Sequence, residues 1–129
     1  MAVVDIHSAE HYRWGDQCDG WHFLQTDKLS VIREWMSPGT SEVKHYHERA
    51  DQFFYIVSGR GTMEIGGEVL TIEEDQGLRV SPGIPHRISN RSERDLHFLV
   101  ISAPQSRGDR IEISSSGLSY RATRFKVPI

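Results

Sequence analysis

The feature that most constrains the fold is a succession of short β-type segments between Trp21 and Ser102. These segments are rich in aromatic and β-branched residues, and turn residues such as Gly, Pro, Asn and Asp separate them. They are WHFLQT, LSVIREWM, EVKHYH, QFFYIVS, GTMEIG, EVLTI, LRVS, HRISN and LHFLVIS. No stretch keeps a helical spacing of apolar residues over three turns. Many short strands at close spacing favour a sandwich or a barrel, so the sequence predicts an all-β protein.

The pair Gly66-Gly67, between TMEI and EVLTI, marks the clearest hairpin. Both central positions of a tight two-residue turn take positive φ, which glycine adopts without a steric cost. The sequence therefore predicts that these two segments are adjacent antiparallel strands. Side chains along such strands alternate between the interior and the exterior, so residues two apart share a face.

The chain has 129 residues, which suits one domain with a single core. We expect a single domain over 1–129, with the barrel core at about 21–102. The residues up to Gly20 are expected to be irregular or to form a short edge strand or a helical turn. The polar segment 103–129 is expected to be a peripheral tail, whose closing FKVPI either pairs with a sheet edge or is disordered.

The charge of the chain is nearly balanced, with 15 basic and 18 acidic residues and no Lys/Arg cluster. Nucleic acid and membrane surfaces are therefore not expected partners. Asp5 and Glu10 interrupt the N-terminal residues, so neither a signal peptide nor a membrane span is read there, and a cytoplasmic location is expected. The single cysteine, Cys18, cannot form an internal disulfide, which agrees with a reducing compartment, and no function is assigned to it.

Two histidines one residue apart, His45 and His47, raise the question of a metal site. At this spacing on a strand they share a face, with Tyr46 on the other, so the two imidazoles project into the same space. The pair alone does not decide between a metal site and two packed histidines. His86 favours the metal site because it follows SPGIP, a turn that fixes the start of its strand, and a closed barrel can bring that start beside the His-x-His strand.

Two longer patterns around these histidines resemble the motifs of the cupin superfamily. The segment from Gly39 to Gly59 is similar to the first motif: Gly, five residues, His-x-His, three or four residues, Glu, six residues, Gly. SPGIPHRISN resembles the second motif: Pro-x-Gly, two residues, His, three residues, Asn. The residues that match the second motif are Gly83, His86 and Asn90. Ser81 stands in place of its proline and Asp75 in place of its leading glycine.

The resemblance implies a small antiparallel jelly-roll β-barrel that holds one divalent metal ion in its interior. Carried over position by position, it gives three histidine ligands and a fourth ligand at the position of the motif's glutamate. The three are His45, His47 and His86. A three-residue spacer after the second histidine would make Asp51 the fourth ligand, whereas the six-residue spacing to Gly59 gives Gln52. That spacing favours Gln52, and Asp51 remains the alternative.

An amide oxygen as the fourth ligand would change the behaviour of the metal. It carries no charge and is a weaker donor than a carboxylate, so the ion would bind more weakly or more selectively. Imidazole ligands suit zinc, iron, nickel or copper better than magnesium or calcium, and zinc, iron and nickel are the expected metals. With neutral ligands only, the open position of the ion would attract an anionic group of a small-molecule ligand or substrate.

The strand after Gln52 has two different faces. Phe54 and Ile56 would share the ligand face. The opposite face would carry Phe53, Tyr55 and Val57. An apolar outer face needs a cover, and since many cupins dimerise through their sheets, the resemblance implies a homodimer.

A few other side chains are candidates for catalysis or ligand binding. His97 and Tyr55 are the catalytic candidates, as an acid or a base in the cavity, although packing explains both residues more simply. Arg33 and Trp35 share one face of their strand and could line an anion pocket if that face is inward. The remaining histidines, His7, His11 and His22, fit no recognisable spacing and are expected at the surface.

Three functional hypotheses remain open from the sequence. The first is a metal-dependent enzyme on a small polar metabolite: an isomerase or lyase of sugar or keto-acid type with zinc or nickel, or a dioxygenase with iron. The second is a non-catalytic small-molecule binding or sensing module. The third is a metal-free barrel that works by side-chain acid–base chemistry. The metal-dependent enzyme is the preferred prediction, and the non-catalytic binding or sensing module is the alternative.

Overall fold

The computed structural model describes residues 2–15, 17–114 and 119–121, and every helix or strand assigned in these ranges is a β-strand. The strands are β1 (Glu10–Trp14), β2 (Cys18–Gln25), β3 (Ser30–Met36), β4 (His45–His47), β5 (Asp51–Ser58), β6 (Gly61–Ile65), β7 (Glu68–Ile72), β8 (Gly77–Val80), β9 (His86–Ser89), β10 (Leu96–Ala103), β11 (Arg110–Ile113) and β12 (Ser119–Arg121). The predicted all-β class is confirmed. In the described ranges there is no helix with the length and apolarity needed to cross a membrane.

The strands form two six-stranded antiparallel sheets around one core. The first sheet has the order β1-β2-β3-β10-β5-β8, and the second has the order β12-β11-β4-β9-β6-β7. Both sheets contribute fully buried apolar side chains to a common cluster. These include Ile32, Phe54, Ile56 and Phe98 from the first sheet and Met63 and Ile88 from the second. The fold is the antiparallel jelly roll that the sequence predicts, with the interior lying between the sheets.

The predicted glycine hairpin is present between β6 and β7. Ile65 pairs with Glu68 across the turn, and Gly66 has a φ of 58°. A second glycine turn, between β5 and β6, tolerates no side chain. Gly59 has a φ of 91°, and a Cβ there would lie 2.4 Å from the backbone oxygen of Asp95. This glycine ends β5 at a fixed point, which agrees with its use as a register marker in the sequence.

Burial alternates along β5 as predicted. Gln52, Phe54 and Ile56 are buried, while Phe53 on the outer face is 41% exposed. The same alternation in β3 places Glu34 inside, so Arg33 and Trp35 lie on the outer face. The two residues considered for an internal anion pocket are therefore outside the barrel.

Strands β1, β2 and β11 extend the sheets beyond the predicted core limits of 21–102. The N-terminal residues form an edge strand, which is one of the three predicted forms of this segment, and this strand, β1, pairs with β2. Strand β11 lies in the segment expected to be a peripheral tail, yet it pairs with β4, the His-x-His strand. Its inner face carries Arg110 and Glu112, so no apolar alternation marks it in the sequence. The closing FKVPI lies outside the described residues.

Candidate metal site

Three buried histidines from two adjacent strands converge in the interior. His45 and His47 share the inner face of β4, and His86 begins β9, where it is the register partner of His45. All three are at most 2% exposed. Each offers one ligand atom, and these atoms lie within 4.8 Å of one another. The His45 and His86 ring centroids are 4.4 Å apart. With small side-chain adjustments, this cluster could hold one metal ion.

Backbone carbonyl groups orient two of the three imidazole rings. His45 Nδ1 donates to the carbonyl oxygen of Val43 at 2.8 Å, and His86 Nδ1 donates to that of Ile84 at 2.9 Å. The proton on Nδ1 leaves a lone pair on Nε2, and neither Nε2 has a hydrogen-bond partner among the described residues. These two nitrogens are therefore in the form that binds a metal ion.

Burial also keeps His45 and His86 neutral. Loss of hydration lowers the pKa of His86 to about 4, and the neighbouring His47 and Arg110 act in the same direction. Burial lowers the pKa of His45 well below 6.5 as well, with Arg110 as the next cause. Because a protonated imidazole cannot bind a metal ion, a low pKa keeps the site ready for metal at neutral pH.

The two alternatives for the fourth ligand lie on opposite faces of β5. Gln52 is 2% exposed on the inner face, whereas the exposed Asp51 carboxylate pairs with Arg79 outside. Gln52 Nε2 donates to Ser102 Oγ at 3.0 Å. This bond orients the amide, and its oxygen has no hydrogen-bond partner among the described residues. On the same face Phe54 lies edge-on to His86, with ring centroids 5.9 Å apart. Gln52 is thus the one of the two that shares the interior with the histidines.

Two buried carboxylates and one arginine adjoin the histidines. In the β4–β11 pairing Arg110 lies opposite His47 and Glu112 opposite His45, so their side chains share the inner face. Glu42 Oε2 lies 4.0 Å from both His45 Nδ1 and an Arg110 Nη atom, and Arg110 Nε lies 3.6 Å from Glu112. Burial raises the pKa of Glu42 to about 7, although Arg110 opposes the rise. The interior therefore holds ionisable carboxyl groups and an arginine beside the histidines.

A third buried carboxylate, Glu34, lies on the inner face of β3. It is fully buried and accepts hydrogen bonds from the Tyr12 hydroxyl and the Trp14 indole. Burial raises the pKa of Glu34 well above 4.5, and nearby Glu42 adds to the rise. No sequence signal selects this residue, because a glutamate between Arg33 and Trp35 is typical of an exposed strand face.

Asp109 fixes the loop between the histidine strand and β5. It is completely buried, and its carboxylate accepts hydrogen bonds of 2.8–3.1 Å from the backbone N–H groups of Glu48, Arg49 and Ala50. These three residues directly follow His47. Hydrogen bonds to a charged acceptor are stronger than neutral ones, so Asp109 holds in place the loop that leads from His47 to Gln52.

Replacing Asp109 with asparagine is expected to lower the free energy of unfolding by about 2 kcal/mol, because it removes the charge and turns a donor toward the backbone N–H groups. Urea unfolding of the metal-free protein measures the loss. Asp51→Asn is the matched control, since this exposed pair with Arg79 should leave stability nearly unchanged. Equal unfolding curves for Asp109→Asn and the wild type would contradict the assigned role.

The structure does not bring His97 and Tyr55 to the histidine cluster. His97 lies on the outer face of β10, where its ring stacks on Trp35 at 6.2 Å and its Nδ1 lies 3.4 Å from Arg33 Nη2. The Tyr55 hydroxyl donates to Asp75 at 2.9 Å, also outside. Of the histidines expected at the surface, His7 and His11 are exposed, whereas His22 is half-buried on the inner face of β2.

A jelly roll of two antiparallel sheets with a histidine cluster inside defines the class of protein. The chain belongs to the cupin family, since the family model described as "Cupin domain" matches residues 33–102, more than half of the chain. That range contains the three histidines and Gln52. The resemblance stated from the two motifs is thereby confirmed.

Among curated proteins the chain resembles the tetracenomycin polyketide synthase protein TcmJ of Streptomyces glaucescens, with 38% identity over 56 residues. The match covers 43% of this chain and 38% of that protein, so the chain aligns with less than half of its relative.

Two solved structures show the same fold. KdgF from Halomonas sp. superposes with a TM-score of 0.74 at 19% identity and covers 81% of this chain and 94% of its own. A predicted oxalate decarboxylase from Thermotoga maritima gives a TM-score of 0.75 at 24% identity and covers 80% and 99%. At these identities the likeness concerns the fold.

Proposed function

We propose that the protein is a metal-dependent enzyme acting on a small polar metabolite, with the metal held by His45, His47, His86 and Gln52. The observation that carries the proposal is the convergence of three buried imidazoles, two of which have Nε2 lone pairs without a hydrogen-bond partner in the part of the chain that the structure describes. Leaving buried polar atoms unpaired costs free energy, and a bound ion would repay that cost.

Catalysis is preferred to passive binding because of the ionisable groups around the histidines. A bound divalent ion would polarise a carbonyl group or acidify a water molecule. Burial of the Glu34 and Glu42 carboxyl groups costs free energy and raises the pKa of both. Perturbed titratable groups of this kind cluster at active sites, where they hold or move protons.

Two buried carboxyl groups compensate, in the proposed enzyme, for the negative charge that a neutral fourth ligand lacks. Gln52 brings no negative charge, but the carboxyl groups of Glu42 and Glu112 lie beside His45, and each is within 4.0 Å of the Arg110 guanidinium. In the proposed enzyme they supply from a second layer the charge that the motif's glutamate supplies directly. The Gln52–Ser102 hydrogen bond keeps the amide oxygen available as the ligand atom.

The reaction class depends on the metal. With zinc or nickel we propose an isomerase or lyase of sugar or keto-acid type, and with iron a dioxygenase. The ligand is a small molecule rather than nucleic acid or a membrane, and the proposed location is the cytoplasm. The proposed assembly is a homodimer that covers the apolar outer face around Phe53, which is 41% exposed.

The test is the metal content of protein purified without chelators or a metal-affinity tag. Elemental analysis should find about one equivalent of zinc, iron or nickel per chain. The variant Gln52→Glu should bind Zn²⁺ at least about tenfold more tightly, because a carboxylate adds charge at the fourth position. Turnover of hydroxy- and keto-compounds should then disappear on chelation and return with the metal, and iron-loaded protein should consume oxygen.

Two results would overturn the proposal. The metal site would be rejected by a wild type without stoichiometric metal together with a Gln52→Glu variant that gains no affinity. Catalysis would be rejected by metal-loaded protein that retains a small molecule tightly but turns over none of the compounds. Asp51→Glu is the control for the added carboxylate, since residue 51 faces outward and should not change metal affinity.

A further inference from the structure

A cavity of about 140 Å³ lies at one end of the first sheet. Its walls come from the β2–β3 hairpin and from the segment after β10, which are joined by a hydrogen bond from Gln105 N to the Asp27 carbonyl oxygen. Most of the lining side chains carry hydroxyl or amide groups, among them Gln25, Thr26 and Ser30. A cavity of roughly 150 Å³ can hold a molecule the size of benzene, so this one has room for a small organic ligand.

Two residues of the lining each have a buried polar atom without a hydrogen-bond partner among the described residues: Ser30 Oγ and His22 Nδ1. Ser30 is only 6% exposed. A buried polar atom without a partner is uncommon in a folded protein, and each one is destabilising. Because both atoms belong to side chains that line the cavity, a change of side-chain rotamer would turn each of them toward a ligand there.

The cavity lies near the Gln52 end of the interior. Ser30 is the register partner of Ser102 in β10, and Ser102 is the register partner of Gln52 in β5. All three side chains are on the inner face of the first sheet. Neighbouring strands are about 5 Å apart, so Ser30 lies roughly 10 Å from Gln52. A small molecule in the cavity would thus lie about two strand spacings from the proposed fourth ligand.

A ring contact and a hydrogen bond also link the cavity residue His22 to the buried carboxyl group of Glu34. The His22 ring lies 4.8 Å from the Tyr12 ring, and the Tyr12 hydroxyl donates to Glu34. Burial lowers the pKa of His22, with Arg107 acting in the same direction and Glu10 opposing, so the imidazole is neutral at neutral pH. A neutral imidazole can accept a hydrogen bond from a ligand hydroxyl group or donate one.

The chemistry of the lining indicates what kind of molecule fits. Hydroxyl and amide side chains both donate and accept, as the hydroxyl groups of a ligand do. The charged residues in the lining, Asp27 and Arg107, have opposite signs, so the cavity has no strong preference for an ion. These features favour a neutral molecule with several hydroxyl groups.

We propose that this cavity binds the organic substrate, a small polyhydroxylated molecule, and that Ser30 and His22 hydrogen-bond to its hydroxyl groups. The inference rests on the proposed function only in calling the bound molecule a substrate. The cavity and the buried atoms of its lining residues do not depend on a metal. It assigns a binding role to His22, which the sequence placed at the surface.

The experiment is an NMR titration of isotope-labelled protein with D-xylose, carried out on chelator-treated and on Zn²⁺-loaded protein. D-Xylose at up to about 50 mM should shift the amide signals of residues around the cavity, with a millimolar dissociation constant. Tetrahydropyran, which is the same ring without hydroxyl groups, is the control ligand and should cause no such shifts. Ser30→Ala and His22→Leu should each weaken binding by about tenfold, the effect of one lost hydrogen bond.

Thermal unfolding separates binding from a structural role. Because no described residue hydrogen-bonds to Ser30 Oγ, Ser30→Ala should unfold at the same temperature as the wild type or higher, while binding D-xylose more weakly. The proposal is overturned if no shifts occur, if tetrahydropyran binds equally well, or if both variants bind like the wild type.

The outcome for the cavity is independent of the outcome for the metal. Binding of D-xylose by a protein without metal would reject the proposed function and retain the cavity as a ligand site. Stoichiometric metal without D-xylose binding would do the reverse.

Discussion

Replacing His86 with alanine is expected to weaken Zn²⁺ binding by at least about 100-fold. Structural zinc sites with four protein ligands bind with about 10–16 kcal/mol, so each ligand contributes roughly 3 kcal/mol, or about two powers of ten in affinity. His86 is 1% exposed, and a carbonyl group orients its Nε2 as the free nitrogen. Neither solvent nor a neighbouring side chain readily replaces it.

Competition with a chromophoric chelator measures the dissociation constant. The control is His97→Ala, which removes a half-buried histidine from the outer face and should leave Zn²⁺ affinity unchanged. If His86→Ala proves too unstable, His86→Gln keeps a polar side chain of similar size and should still lose most of the affinity. Affinities within about threefold of the wild type for both His86 variants would show that this histidine is a packed core residue.

The metal-free protein is expected to lose about 3 kcal/mol of stability through His86 as the pH falls from about 7 to 4. Burial lowers the pKa of His86 from 6.5 to about 4 in the folded state. Between these values the unfolded chain binds a proton that the folded protein does not. The contribution is therefore fully present above pH 6.5 and is lost as the pH falls through the folded-state pKa.

Glu42 acts in the opposite direction, so the effect of His86 has to be isolated. The pKa of Glu42 is raised from 4.5 to about 7, and its contribution to stability is present below pH 4.5 and lost as the pH rises through 7. Acidification thus relieves the cost of burying Glu42. Urea unfolding of the wild type and of His86→Gln is therefore measured at pH 7 and pH 4. The difference between the two proteins cancels the contribution of Glu42, which both contain. The wild type should lose about 3 kcal/mol more than the variant, and parallel pH profiles would contradict the prediction.

Zn²⁺ should steepen the pH profile of the wild type. Protonated imidazole cannot bind the ion, so acidification releases the metal and removes its stabilisation as well. The same comparison in the presence of Zn²⁺ therefore reports on the neutral state of the histidines by a route that does not need a substrate.

The parts of the fold that the sequence predicted are those with strong local signals. Gly66-Gly67 fixed one hairpin, and the alternation after Gln52 placed Phe54 inside and Phe53 outside, as observed. The register between Gly59 and Gln52 also separated the buried amide from the exposed Asp51. Turn chemistry and a period of two are properties of a few neighbouring residues, so they can be read without tertiary information.

The burial of Glu42, Arg110 and Glu112 around the histidines could not be predicted, because it contradicts the local sequence patterns. In RIEI the alternation suggests that Ile111 faces the core, yet pairing with β4 turns Arg110 and Glu112 toward the histidines. Glu42 is three residues before His45, which places it on the opposite face of a regular strand. The regular strand starts only at His45, and the irregular backbone before it lets Glu42 point inward. Such departures from a local rule are expected at functional sites.

The hydrogen bonds of Asp109 bear on the order in which the site can form. This carboxylate holds the loop after His47, although it lies about 60 residues further along the chain. A nascent chain that has emerged only as far as β10 would contain every proposed ligand but lack the group that fixes two of them relative to each other. Contacts of such long sequence separation form late in folding, because closing the intervening loop costs entropy first. Capture of the ion would then follow the docking of β11, so the metal would be loaded only after the growing chain has passed Asp109.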